Sequence, residues 1–444
     1  MGSMERTLSD AVLALEHLPS RAGGSPLYAT WEIRGVARGR GPVHETSIVD
    51  GGARAEWLDP ASGQVTRARF LVGAAPGALD ALARDDEFRF PPGAAWERAV
   101  AELSGHLARE VDRFRRTFPL LEETVRAAGP GARHVRWEVA ARARAWRRPG
   151  EEPRSELSTG LRVTVRLAAG EAWTQVSWSG ADPARVPWAG PGHRAWVERL
   201  AGARDAAEAR ARFEPLPPVP WEGPVVLLGS AAGWWGHEMG HAAIEGFPCP
   251  GPGNPHGLRI LDDPRRAPWP AGFEVDDAGL PARAAVLWDA AGPLQVRGAG
   301  RLRREGIRSP AIPSLACTTV EAAGGGWVDW DDLPRDVPVV LRADSGRLDL
   351  FGGTLLFGAA DVMRVTPEGL RPVAGNHLLA VGCGEGWRGA RPVRNAPAVE
   401  GEQATCTRQG WMIAVMVGAP TIVLDPARLI PRSGAKTRPP GEME

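Results

Sequence analysis

The stretch Ser230-Ala-Ala-Gly-Trp-Trp-Gly-His-Glu-Met-Gly-His241 decides how this chain is read. It follows a short apolar run, Val225 to Leu228, that reads as a buried strand. Ser230 stands where an N-cap belongs, so the spacing predicts a helix from there to about Glu245. Inside it, His237-Glu238-Met-Gly-His241 has the form H-E-x-x-H. A four-residue step carries a side chain about 40° past one full turn, so both imidazoles leave the same face. Two neutral nitrogens at that spacing are half of a tetrahedral zinc site. Glu238 sits about 100° round the helix, beside a metal rather than on it, where it can take a proton from activated water. The bland alternative is a buried helix with two satisfied histidines. The strand-to-helix junction favours a site. Gly236 and Gly240 cost helix propensity and predict that something, a ligand or a packed neighbour, approaches the helix closely.

Two histidines do not close a site. His256, Cys249, Cys383, Cys406 and a carboxylate such as Glu245 are all candidates for the third ligand, and spacing does not choose among them. Glu245 lies two turns beyond His237 on roughly the same face, which suits a ligand or a hydrogen-bond partner of one. Gly-Cys383-Gly-Glu-Gly reads as a turn, and Cys317 beside Leu315 as a small buried hydrophobe.

Working outward, Glu214-Pro-Leu-Pro-Pro-Val-Pro-Trp-Glu-Gly-Pro224 carries five prolines and cannot be an ordinary helix. It divides the chain into expected domains 1–215 and 216–435. Before it, helical spacing at 4–18, 93–128 and 191–212 alternates with strand patterns at 26–72, 133–147 and 160–178. After it, 284–430 is mostly short strands with Gly and Pro turns. The expected class is α+β: an N-terminal antiparallel sheet with packed helices, then a β-rich, barrel-like domain carrying the metal helix.

Composition narrows the chemistry. Lys+Arg and Asp+Glu both total 53 in 444 residues, so the formal charge is zero. That argues against nucleic acid or an anionic membrane as main partner. With Lys436 the single lysine, no G-x-x-x-x-G-K-[ST] loop exists and a lysine Schiff base is disfavoured. No apolar run approaches the roughly 18 residues that cross a bilayer, and four cysteines in so long a chain make no disulfide framework. The expected location is the cytoplasm.

At these residues the chain resembles the TldD/PmbA family of bacterial metallopeptidases, over most of its length. Family members carry H-E-x-x-x-H-x-x-E-G after a strand behind a Pro-rich joint. Here Pro217 to Leu228, His237-Glu238 and Glu245-Gly246 follow that order, although His241 falls one residue early. Val337-Pro-Val-Val-Leu-Arg through Arg371-Pro-Val-Ala-Gly-Asn376 resembles the later strands. The stretch Cys406-Thr-Arg-Gln-Gly-Trp-Met-Ile-Ala-Val-Met-Val-Gly-Ala-Pro-Thr-Ile-Val-Leu-Asp425 resembles the C-terminal strand pair. The resemblance implies Cys406 as third zinc ligand, beside His237 and His241. It implies a zinc-dependent peptidase acting on unfolded or small peptides with Glu238 as base. The residues themselves, apart from the resemblance, leave Glu245 and His256 as candidates near the substrate or behind the ligands, with His256 and Arg259 as guesses for an oxyanion donor. The resemblance also implies a homodimer, or a heterodimer with a paralogous subunit. The alternative is a non-catalytic zinc-binding partner or scaffold subunit, since the family includes members of that kind.

Overall fold

The computed structural model describes residues 3–16, 28–58, 65–73, 94–128, 132–148, 151–170, 172–218, 220–244, 253–294, 301–304, 312–349, 353–396, 402–408 and 411–432. The N-terminal half contains helices α1 (Ser3–Glu16), α2 (Ala94–Ala127) and α3 (His193–Arg212). Its strands are β1 (Tyr28–Arg40), β2 (Val43–Leu58), β3 (Val65–Val72), β4 (Ala132–Arg147), β5 (Arg154–Ala169) and β6 (Ala172–Gly180). They form one antiparallel sheet in the order β3-β2-β1-β4-β5-β6.

Side chains alternate across a strand, and the two faces of this sheet differ in kind. Trp31 and Ile33 of β1, Val139, Ala141 and Ala143 of β4, and Val163 and Val165 of β5 pack against the helices. From α2 that face receives Leu103, Leu107, Val111, Phe114, Phe118 and Leu121, the i, i+3, i+4 stripe of an amphipathic helix. The other face carries Arg34, Arg142 and Arg144, with Arg34 directly opposite Arg142 in register. These arginines are not solvated: the Arg142 and Arg144 side chains are 4% and 1% exposed. They meet a turn of the C-terminal half at Asp276 and Asp277.

The C-terminal half begins with β7 (Trp221–Leu227) and α4 (Gly229–Ile244). Next come β8 (Leu258–Asp262), β9 (Ala285–Asp289), β10 (Gly292–Pro293), β11 (Leu302–Arg303), β12 (Ile312–Pro313), β13 (Cys317–Ala322) and β14 (Val328–Asp329). Strands β15 (Pro338–Asp349), β16 (Thr354–Thr366), β17 (Gly369–Pro372) and β18 (His377–Gly382) lead to helix α5 (Cys383–Gly389). Strands β19 (Arg391–Arg394), β20 (Glu402–Arg408), β21 (Trp411–Gly418) and β22 (Ile422–Pro431) follow. One sheet has the order β10-β9-β8-β13-β21-β20, and another β14-β19-β22-β18-β16-β15-β7. Because β22 also pairs with β7, strands β7, β15, β16, β18 and β22 make an unbroken ring of pairings.

Helix α4 lies between these sheets, touching β15 on one side and β13 and β21 on the other. It is buried from Gly229 to Ala243 apart from Trp234, as a helix that is apolar all round must be. The α+β class therefore holds, and α4 falls within one residue of its expected bounds. One expectation fails. Cys383 opens a short helix and is 1% exposed rather than sitting in a mobile turn, because its N–H donates to Gly353 O and Trp387 of the same helix packs into the core. Glu245 and Cys249 lie outside the described residues. Among the described residues, no helix is long and apolar enough to cross a membrane.

Candidate metal centre

The centre is built on α4. His237 and His241 share a face, with ring centroids 4.5 Å apart and Nε2 atoms 3.0 Å apart. Cys406, on β20, is delivered to that face by the β20–β21 hairpin, whose second strand packs along α4. Its Sγ lies 3.4 Å from His241 Nε2. The three ligand atoms lie within 4.8 Å of one another, and the residues are 0%, 2% and 6% exposed.

Two of the spacings, 3.0 Å between the Nε2 atoms and 3.4 Å from His241 Nε2 to the sulfur, are close to those around a shared cation. Zinc–nitrogen bonds of about 2.05 Å and zinc–sulfur bonds of about 2.3 Å, set at tetrahedral angles, place two nitrogens about 3.3 Å apart and nitrogen and sulfur about 3.6 Å apart. A hydrogen bond satisfies one such contact; a cation at the centre satisfies all three. His237 Nδ1 is 3.2 Å from Thr318 Oγ1 on β13. With Nδ1–H donating to that hydroxyl, Nε2 turns its lone pair towards the cluster, the way outer groups fix a ligating imidazole. Nothing in the sequence pointed to Thr318, since Cys-Thr-Thr-Val reads as ordinary β-branched strand. Glu238, between the histidines in sequence, is 8% exposed.

The glycines of α4 are explained by packing. A Cβ at Gly236 would strike Val320, and one at Gly240 would lie 2.8 Å from both Leu287 Cδ1 and Leu315 Cδ1. Gly233 faces the backbone of Val417 and Gly418 at 3.1 and 3.0 Å. Bare backbone on this face lets α4 sink onto β13, β9 and β21, which brings Cys406 within reach.

No protein-family profile matches the chain, and no curated protein is detectably similar to it in sequence. Solved structures are similar in fold. TldE from Thermococcus kodakarensis is 14% identical with a TM-score of 0.60, covering 97% of this chain and 100% of that one. A candidate modulator of a DNA gyrase from Thermotoga maritima is 12% identical with a TM-score of 0.56, covering 96% and 100%. A second such candidate, from Bacteroides thetaiotaomicron, is 10% identical with a TM-score of 0.54, covering 96% and 99%. The chain has the TldD/PmbA fold.

Within this TldD/PmbA fold the other candidate ligands fall away from the cluster. His256 is not among the grouped residues. Its backbone N–H donates to Asn254 Oδ1, its ring packs on the Gly326 turn, and burial beside Arg391 lowers its pKa. Cys317 is 3% exposed, the buried hydrophobe expected of it, and burial near Asp262 pushes its thiol up to about 12. Cys383 and His377 stand at opposite ends of β18, so they make no nucleophile–base pair. Arg259, one guess for an oxyanion donor, is committed to Glu321 at 2.6 Å on the surface. A groove of about 520 Å³ between the halves is lined by His106, Glu110 and Thr159 on one side and Trp269, Phe273 and Glu274 on the other. None of the cluster residues lines it.

Proposed function

We propose that this chain is a zinc-dependent peptidase acting on unfolded or small peptides, as a homodimer or with a paralogous subunit. One observation carries the reading: His237, His241 and Cys406 bring three ligand atoms within 4.8 Å of one another on the helix that also carries Glu238. Those three residues would hold the ion and leave a fourth position open, as catalytic zinc sites do. Zinc bound there supplies Lewis-acid polarisation of a carbonyl and lowers the pKa of water towards about 7. Glu238 accepts the proton from the attacking water and returns it to the leaving amine. Thr318 Oγ1, 3.2 Å from His237 Nδ1, would accept from that nitrogen and leave Nε2 free to ligate.

The burial of all three ligand residues supports a second reading, a structural zinc in a partner or scaffold subunit. One experiment separates the two. Metal content and peptide hydrolysis are measured for wild type and Glu238→Gln, with and without a chelator. The peptidase reading expects full zinc in the variant with a rate about 10²–10⁴-fold lower. Zinc present without hydrolysis in wild type selects the scaffold; a variant cleaving at wild-type rate sinks Glu238 as base.

A further inference from the structure

Arg301 and Arg303 are both buried, at 2% and 7% exposed, and they bond to different elements. They lie in a segment held on the Asp276–Asp277 turn. Leu302 N–H donates to Asp276 Oδ2 at 3.1 Å and Arg304 N–H to Asp277 Oδ2 at 2.7 Å.

From this anchor Arg301 reaches one way. Its Nε lies 3.0 Å from Asp262 Oδ2, and its Nη2 donates to Arg283 O at 2.7 Å. The other oxygen of Asp262 accepts the N–H groups of Ala316 and Cys317, each at 2.9 Å. That ties down the start of β13 one residue before Thr318, the partner of His237. Arg303 reaches the other way. Its guanidinium lies over the Phe273 ring at 4.9 Å and donates to Pro270 O and Ala271 O at 2.6 and 2.9 Å. It also donates to Ala414 O at 3.4 Å. Ala414 is the β21 residue paired with Thr405, next to Cys406.

We propose that Arg301 and Arg303 are positioning residues for the ligand set: Arg301 holds the strand that orients His237, and Arg303 holds the hairpin that carries Cys406. The inference rests on the metal reading for its purpose and on the geometry above for its mechanics. Arg301 thus acts on the residue before Thr318 by way of Asp262, and Arg303 on the strand position paired with Thr405, the neighbour of Cys406. His241 and Cys406 lie 165 positions apart in sequence, on α4 and β20, so the glycine face of α4 can set the sulfur's distance only if the hairpin it packs on is itself held in place.

The test uses the full chain with Arg301→Met, Arg303→Met and the conservative Arg303→Lys. Methionine keeps length and, at 303, the contact with Phe273. At 301 it also leaves Asp262 without its cation, a strongly destabilising loss, so Arg301→Lys, which keeps the charge, decides by the same measurements if Arg301→Met does not fold. In the metal-free proteins, amide hydrogen exchange is expected to speed up across 402–418 in Arg303→Met and across 316–322 in Arg301→Met, with the α4 amides unchanged. Titration with cobalt(II) is expected to show affinity lower by about 10–100-fold in each methionine variant, the usual effect of losing an outer partner of a ligand. The thiolate-to-cobalt charge-transfer band should weaken in Arg303→Met alone, and Arg303→Lys should recover part of it. Uniform loss of protection over the whole chain, or wild-type exchange with a wild-type cobalt spectrum, overturns the inference. If the Met variant of Arg303 does not fold, Arg303→Lys decides by the same two measurements. A wild-type chain that takes up no cobalt refutes the metal reading instead, and the exchange pattern still judges the positioning.

Discussion

The arginine-lined seam and the histidine–cysteine cluster are buried alike, yet they settle their polar groups by opposite means. At the seam, Asp277 Oδ1 lies 3.2 Å from both Arg142 and Arg144, and Glu156 lies 2.6 and 3.0 Å from the same pair. Charges of both signs are present, and backbone carbonyls such as Val275 O take up further donors. At the cluster, the three convergent atoms are two imidazole nitrogens and a sulfur, all of them able to offer a lone pair. Burial with compensation in place describes a structural joint. Burial of convergent lone pairs describes a place for a cation. The contrast matters because burial and polarity, taken alone, would rank the two regions as equals.

The largest expected effect tests the first half of that contrast. Asp277→Asn removes the more deeply buried of the two carboxylates that pair with both Arg142 and Arg144, leaving Glu156, and removing one partner of a buried ion pair costs about 3–5 kcal/mol. Chemical denaturation of the metal-free protein near pH 7 measures it. Burial would raise the Asp277 pKa, but Arg34, Arg142 and Arg144 outweigh it and hold the carboxyl below the usual range. A folded-state pKa below the unfolded value, about 3.9, means the contribution is complete above about pH 4. It is lost as the pH falls through the folded value. The gap between wild type and variant should therefore be flat from pH 5 to 8 and narrow only in stronger acid. A gap that changes between pH 5 and 8 would assign the seam to a different titrating group.

A smaller effect sharpens the contrast from the other side. Gly240→Ala puts a methyl 2.8 Å from two leucine tips, and overpacking of that kind costs about 1–3 kcal/mol. Helix propensity returns about 1 kcal/mol. Gly105→Ala in α2 is the control, because its Cβ would meet only Arg109 Nη1 at 3.7 Å. The control should gain up to about 1 kcal/mol while Gly240→Ala loses stability and metal affinity together. Equal behaviour of the two would mean the close approach of α4 to β9 and β13 is unimportant. Smallest is Thr318→Val, nearly isosteric but without the hydroxyl that faces His237 Nδ1. Metal affinity should drop about 10-fold with the fold intact, read by competition with a chromophoric chelator.

How far these regions could be read from sequence follows from where their partners lie. The cluster's first half was legible because both histidines sit on one helix, and helical spacing alone puts them together. Its sulfur was reached through resemblance, with 165 residues intervening. The seam was not legible at all. Ala140-Ala-Arg-Ala-Arg-Ala-Trp146 alternates like any strand with one solvated face, and the carboxylate that changes that reading stands 135 residues beyond Arg142. Gly236 and Gly240 signalled close approach without saying by what. The answer, Val320, Leu287 and Leu315, comes from β13, β9 and the link before β13, which no local pattern connects to the helix. Helix bounds are local properties and came out within about two residues; strand bounds came out less well, since β5 begins at Arg154 and not near 160, and β15 and β16 run 12 and 13 residues where short strands were expected.

The separation between His241 and Cys406 also bears on how the chain is made. A ribosome adds about 5–20 residues per second, so on the order of ten seconds or more pass between translation of the second histidine and of the cysteine. During that interval the nascent chain presents two imidazoles on a helix whose packing strands β13 and β21 are themselves still to come. Two ligands without an enclosing core hold a metal weakly and with little discrimination. The choice of ion at a centre of this kind would therefore fall late, after β21 has closed over α4, to the finished geometry and not to whichever cation met the histidines first.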